Sequence, residues 1–121
     1  MRKNIRDAGS LLPLMPAEFQ ILLALSDRDR HGYGIMAEVK DRTGGKVALG
    51  PGTLYGTIKR LLKMELVAEG AAQPDPTLSE GRRKYYRLTD LGRELAVAEA
   101  RRLADLVGDA RAKDLIPKGV G

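Results

Sequence analysis

Two short stretches of this 121-residue chain carry side chains whose types and spacing could do chemistry. The first is "GPGTLYGTIKRLLK", residues 50–63. At about 100° per residue on a helix, Leu54, Ile58, Leu61 and Leu62 share one face. The opposite face carries Gly52, Gly56, Lys59 and Lys63, with Thr53 and Arg60 on its shoulder. Small residues allow a close approach and cations at the edges meet an anion, which is what a helix entering the major groove of DNA requires. Pro51 and Gly52 set the helix start and leave its first amides uncrowded, an arrangement that favours a phosphate. The hydroxyls of Thr53 and Tyr55 can reach a phosphate without reading sequence. The second stretch is "EGRRKYYRL", which gathers Arg82, Arg83 and Lys84 at the base of a strand. Cations clustered beside such a helix neutralise backbone phosphates. Tyr85 and Tyr86 point to opposite faces of that strand, one inward and one outward.

Other chemistries find little to work with. Cysteine is absent, which rules out disulfides and thiolate zinc sites and is compatible with a reducing cytoplasm. His31 is the only histidine, so it can build neither a metal site nor a triad, and it reads as a cap or packing residue in the "HGYG" turn. Asp27 and Asp29 alternate with Arg28 and Arg30 in a surface loop and read as solvated charge. No catalytic constellation is present, so the expectation is a non-enzyme without cofactor or metal.

The net charge is +5, and its placement matters more than its size. Residues 51–88 hold seven basic against four acidic side chains, and the first 15 residues carry Arg2, Lys3 and Arg6 against Asp7. Residues 16–50 are balanced and 89–116 are slightly acidic. A basic middle between neutral and acidic segments implies a surface facing a polyanion. No apolar run approaches the ~18 residues of a membrane span. Pro13, Pro16, Glu18 and Gln20 interrupt the apolar N-terminal part, which argues against a signal peptide.

Those groups have to be positioned by the following elements. "PAEFQILLALSDRD" is a helix with Phe19, Leu22, Leu23 and Leu25 at helical spacing. "YGIMAEVKDRTGG" is a second, with Ile35, Met36 and Val39 inward and a stop at Gly44-Gly45. "KVALG" is a short extended piece, residues 52–65 a third helix, and "LVAEG" and "KYYRLT" two antiparallel strands. Between the strands, "AAQPDPTLSEGRR" is a loop in which nothing packs. Thr89-Asp90 begins a fourth helix reaching about Ile116. With aromatics at 4%, the core is aliphatic, and Met15, Met36 and Met64 are expected to fill it. Three helices and a two-stranded ribbon make a mainly α, winged helix-turn-helix fold with a small β-wing. The expected organisation is a flexible N-terminal arm over 1–13, the winged helix over 14–88, a C-terminal dimerisation helix over 89–116 and a tail over 117–121. On the last helix, Leu91, Leu95, Ala98, Leu103, Leu106, Val107 and Ala110 form an apolar stripe larger than a small wing needs. A second copy of the chain is its expected mate.

Three stretches together, "ILLALSDRDRHGYGIMAEV", "LGPGTLYGTIKRLLKMELV" and "GRRKYYRLTDLGRE", resemble the PadR family of bacterial transcriptional regulators over residues 14 to about 95. The single helix after the wing is similar to the family's compact branch. The resemblance implies a cytoplasmic, homodimeric winged-helix repressor acting on double-stranded operator DNA. Pro51, Thr53, Tyr55, Lys59 and Lys63 match the recognition-helix side, and Arg82 to Lys84 match the wing. Relatives often place glycine before the first wing strand, whereas this chain has Glu65, so the turn must close without it. Some compact relatives bind flat aromatic drugs through a tryptophan on the last helix. This chain has no tryptophan, which leaves a small-molecule effector without support. The reading of a different class is a winged helix that docks proteins and has little specific DNA binding.

Overall fold

The computed structural model describes residues 11–70 and 76–117. Eight elements follow in order: α1 (Pro16–Ala24), β1 (Arg30–His31), α2 (Gly32–Arg42), α3 (Pro51–Lys63), β2 (Val67–Glu69), α4 (Glu80–Arg83), β3 (Tyr85–Leu88) and α5 (Asp90–Ala112). The chain is mainly helical with a small antiparallel sheet of order β1-β3-β2. Helix α1 is the hub and packs on α2, α3 and α5. Ile21, Leu22, Ile35, Val39, Leu54, Ile58, Leu61, Leu66 and Leu95 close a core in which each is at most 2% exposed. No helix among the described residues is long and apolar enough to cross a membrane.

The helix starts follow local chemistry. Pro16 stands in the first turn of α1, where its missing N–H is no loss, and Glu18 Oε1 accepts the Met15 amide at 2.8 Å. His31 Nδ1 accepts the Gly34 amide at 2.8 Å and caps α2, the first of the two roles its place in the turn left open. Thr89 Oγ1 accepts the Gly92 amide at 2.9 Å and donates to the Glu65 carbonyl at 2.7 Å. The cap of α5 is thereby tied to the end of α3.

The helix ends share one device. At the end of α2, the amides of Gly44 and Gly45 turn back to the carbonyls of Asp41 and Lys40, with Gly44 at φ 62°. The same double return closes α3: the Glu65 amide donates to Leu62 at 3.0 Å and the Leu66 amide to Leu61 at 3.0 Å. Glu65 takes the left-handed conformation, φ 63°, that glycine adopts without strain. The turn into β2 therefore closes without glycine, held by burial of Leu61 and Leu66 on either side of it. Asp114, also at φ 63°, ends α5 at Ala112 rather than near Ile116.

Several expectations need correction. The sheet has a third strand: Arg30 pairs with Tyr86 and His31 with Tyr85. A two-residue strand carries no periodicity to read. The loop said to have nothing to pack contains the one-turn helix α4, whose Gly81 is buried against the ring of Tyr33. "KVALG" lies outside any helix or strand, as a short connecting piece does, and its Val47 and Leu49 pack on the core. Met36 and Met64 do pack there, but Met15 is 60% exposed because it precedes α1 and points away from the helix's inner face. Leu11 and Leu12, placed in the expected arm, pack on the core; residues 1–10 of that arm lie outside the described residues, as do 71–75 of the loop and 118–121 of the tail.

The stripe on α5 divides in two. Leu95 is fully buried in its own domain and so unavailable to a partner, and the half-buried Leu91 packs on the same core. Gly92, Leu95 and Glu99 face inward. The same face continues past the domain as Leu103, Leu106 and Ala110, with Val107 beside them. There Leu106 is 52% and Val107 42% exposed. The half-buried Ala98 lies off this face.

Candidate nucleic-acid interface

Helix α3 separates its two faces as its spacing requires. Leu54, Thr57, Ile58 and Leu61 are buried, and Leu62 is half-buried at the edge. Pro51, Gly52, Thr53, Gly56, Lys59, Arg60 and Lys63 are all exposed. Among the described residues nothing lies within 4 Å of where a Cβ on Gly52 or Gly56 would stand. Neither glycine is required by packing among the described residues, and neither has a positive φ. A mid-helix glycine costs about 1 kcal/mol relative to alanine. The fold tolerates that cost at Gly56 without drawing any internal benefit from it.

The cations around this face differ in how they are held. Lys59 and Lys63 are exposed and form no ion pair among the described residues. Arg60 reaches across to α1, where its Nη2 lies 3.3 Å from Glu18 Oε2. Glu18 is 7% exposed. Its pairing partner stands 42 positions away, which no local pattern signals.

Tyr55 does not lie on the outer face. Its hydroxyl is buried and stands where a Cβ on Gly32 would fall, at the start of α2. Its ring fills the space that the missing side chain of Gly32 leaves, so this hydroxyl is withdrawn from phosphate. Tyr55 also lines a cavity of about 230 Å³ with Arg83, Lys84 and Tyr86. The three wing cations are not equivalent. Arg82 is exposed, with its guanidinium carbon 6.0 Å from the Tyr33 ring centre. Arg83 folds in, its Nη2 donating to the Leu78 carbonyl at 3.4 Å. Lys84 Nζ lies 3.4 Å from Glu69 on the neighbouring strand, and both are well exposed. Such an exposed pair contributes little and opens easily to a stronger anion. On β3, Tyr86 is the inward tyrosine and Tyr85 the outward one, its ring edge-on to His31 at 5.4 Å.

Behind the interface, Glu99 anchors α5 to the segment before α1. Its carboxylate accepts the Leu14 amide at 3.0 Å and Arg102 Nε at 2.6 Å. The Arg102 guanidinium holds this carboxyl below its ordinary value, against the upward push of burial, and the Leu14 amide adds to the lowering. Among the described residues no group of histidine, cysteine or carboxylate side chains could hold a metal.

The geometry therefore offers a basic, glycine-lined helix face beside a small sheet bearing further cations. A family model described as Transcriptional regulator PadR-like family matches residues 21–98. A transposon-encoded 37.1 kDa protein of Streptomyces fradiae is 39% identical over 92 residues, covering 76% of this chain. The chain spans only 24% of that relative's length. A PadR family transcription regulator from Clostridium difficile R20291 has a similar structure, with TM-score 0.66, 26% identity, and coverage of 79% of this chain and 95% of that one. Bacillus subtilis PadR, crystallised in complex with operator DNA, shares the fold at TM-score 0.57 and 22% identity, covering 67% of this chain and 45% of that one. With a family model that matches residues 21–98, from within α1 to the first half of α5, this protein belongs to the PadR-like family of transcriptional regulators.

Proposed function

We propose that this protein is a homodimeric repressor that binds operator DNA through α3 and the wing. The observation that supports this most directly is the open space over Gly52 and Gly56. Two glycines whose bareness serves no contact among the described residues, flanked by Lys59 and Lys63, which form no ion pair among them, suit a helix that must come close to a polyanion. Thr53, with its exposed hydroxyl, and the amides at the Pro51 end would meet a phosphate. Arg82 and Lys84 would extend the contact along the backbone, with Arg83 supporting them from within. Bacillus subtilis PadR binding operator DNA is consistent with this reading. The protein would act in the cytoplasm, where bacterial DNA lies.

Dimerisation through α5 follows from the part of its stripe that lies beyond the domain, Leu103, Leu106, Val107 and Ala110. A twofold partner covers it with the same surface. Sedimentation should give about twice the monomer mass of 13.2 kDa, reverting to one in the double variant Leu103→Asp, Leu106→Asp.

Gly56→Gln tests the interface. The substitution should keep or raise the melting temperature and abolish binding to a duplex from the promoter next to the protein's own gene, followed by fluorescence anisotropy at fixed salt. Undiminished affinity would take α3 out of the groove and favour protein docking instead.

A further inference from the structure

Between the start of α1 and the outer face of α3 lies a hollow of about 410 Å³, lined by Met15 and Ala17 on one side and by Thr53, Gly56 and Arg60 on the other. At its edge, Glu18 is held in one orientation. One carboxylate oxygen accepts the Met15 amide at 2.8 Å, and the other faces Arg60 Nη2 at 3.3 Å. The Glu18 side chain is 9% exposed and the Arg60 side chain 54%, so a buried, anchored acid holds a guanidinium whose far side stays open. Lys59 and Lys63, on the same face, have no such partner among the described residues.

We propose that Glu18 is a positioning residue that makes Arg60 a reader of a base edge, guanine by its donor pattern, instead of a counter-ion for phosphate. This rests on the reading of α3 as the helix in the major groove. Two physical arguments support it. A phosphate contact draws its strength from released counter-ions and needs net positive charge, which Glu18 cancels at Arg60. A base contact needs donors fixed in direction, and a guanidinium carries five of them in a rigid fork. Glu18 engages one nitrogen and restrains the rotation of the rest, so the remaining fork can meet guanine O6 and N7. Gly56, one helical turn before Arg60, leaves room for that approach.

The test uses the full-length protein and a pool of duplexes with randomised sequence, sequenced before and after binding. The wild type should enrich a G·C pair at one position per half-site. Arg60→Ala and Arg60→Lys should each lose about tenfold of the preference at that position and keep the preferences elsewhere. Glu18→Gln, whose amide oxygen still accepts the Met15 amide, should lose the same preference. Its binding to arbitrary duplex should become steeper in salt by about 1, since Arg60 is then an unpaired cation. Arg60→Ala weakening all duplexes alike with a salt slope smaller by about 1 would overturn the proposal, as would an unchanged profile in Glu18→Gln. Should Glu18→Gln fail to fold, the two Arg60 variants decide it, because that side chain is exposed. If Gly56→Gln binds DNA normally, the underlying reading of α3 falls. If Gly56→Gln loses binding while Arg60→Ala is uniformly weak, only the role given to Arg60 falls.

Discussion

Gly92 and Gly56 are both glycines inside helices, and they sit in opposite surroundings. At Gly92, in the first turn of α5, a Cβ would collide with the Leu66 carbonyl oxygen and lie 2.8 Å from Leu88 Cδ1. The backbone of α5 can lie against the α3–β2 junction only because that side chain is missing. At Gly56 a Cβ would meet nothing within 4 Å among the described residues. The first glycine serves the fold, since its bareness is used by an atom of the same chain. The second costs the fold stability and returns nothing to it, so its use has to be sought in something the chain binds. The junction around Glu65, Leu66, Thr89 and Gly92 is accordingly a region of internal closure, and the outer face of α3 a region prepared for contact.

The largest expected effect comes from breaking the junction. Gly92→Ala should destabilise the protein by about 3 kcal/mol, because the obstructing atom is backbone and cannot swing aside. A thermal melt should show a loss of roughly 10 °C or more. A melting temperature within a degree or two of the wild type would mean that α5 slides at no cost.

Next is the tie behind the junction. Glu99→Ala leaves the buried Leu14 amide without its acceptor and should cost about 2 kcal/mol in chemical denaturation. The same carboxylate gives a pH signature. Its pKa in the fold lies below the ordinary 4.5. The stability it adds is therefore present above that value and is lost as pH falls through the lowered one. Melts taken from neutral pH down to strongly acidic pH should show this loss below about pH 4.5 in the wild type, and a flatter acid limb in Glu99→Gln.

At Gly56 the sign reverses. Gly56→Ala should stabilise the free protein by up to about 1 kcal/mol, since its dihedrals are helical and its surroundings open. A destabilising Gly56→Ala would erase the contrast between the two glycines. The smallest effect is expected at Glu65. Glu65→Gly should stabilise by about 0.5 kcal/mol, relieving the left-handed conformation but giving back much of the gain as freedom of the unfolded chain. A loss of stability there would show that the Glu65 side chain contributes more to the junction than its backbone strain costs.

Much of this protein could be read from the order of its residues. The division of α3 into a leucine-rich inner face and a glycine- and lysine-bearing outer one follows from spacing. So do the stop at Gly44-Gly45, the cap at His31 and the winged-helix order of the elements. Each depends on contacts between residues a few positions apart, where helix geometry alone dictates which side chains meet. The tertiary structure decided the rest. Arg30 and His31 become a strand only because β3 arrives alongside them. Tyr55 turns inward because Gly32 leaves it a space. The stripe on α5 splits where the domain beneath it ends. Arg60 is paired by Glu18 and Leu14 by Glu99, across 42 and 85 positions. Such partners are chosen by the packing of whole elements, and a local pattern of apolar and charged residues contains no information about which distant carboxylate will be brought near.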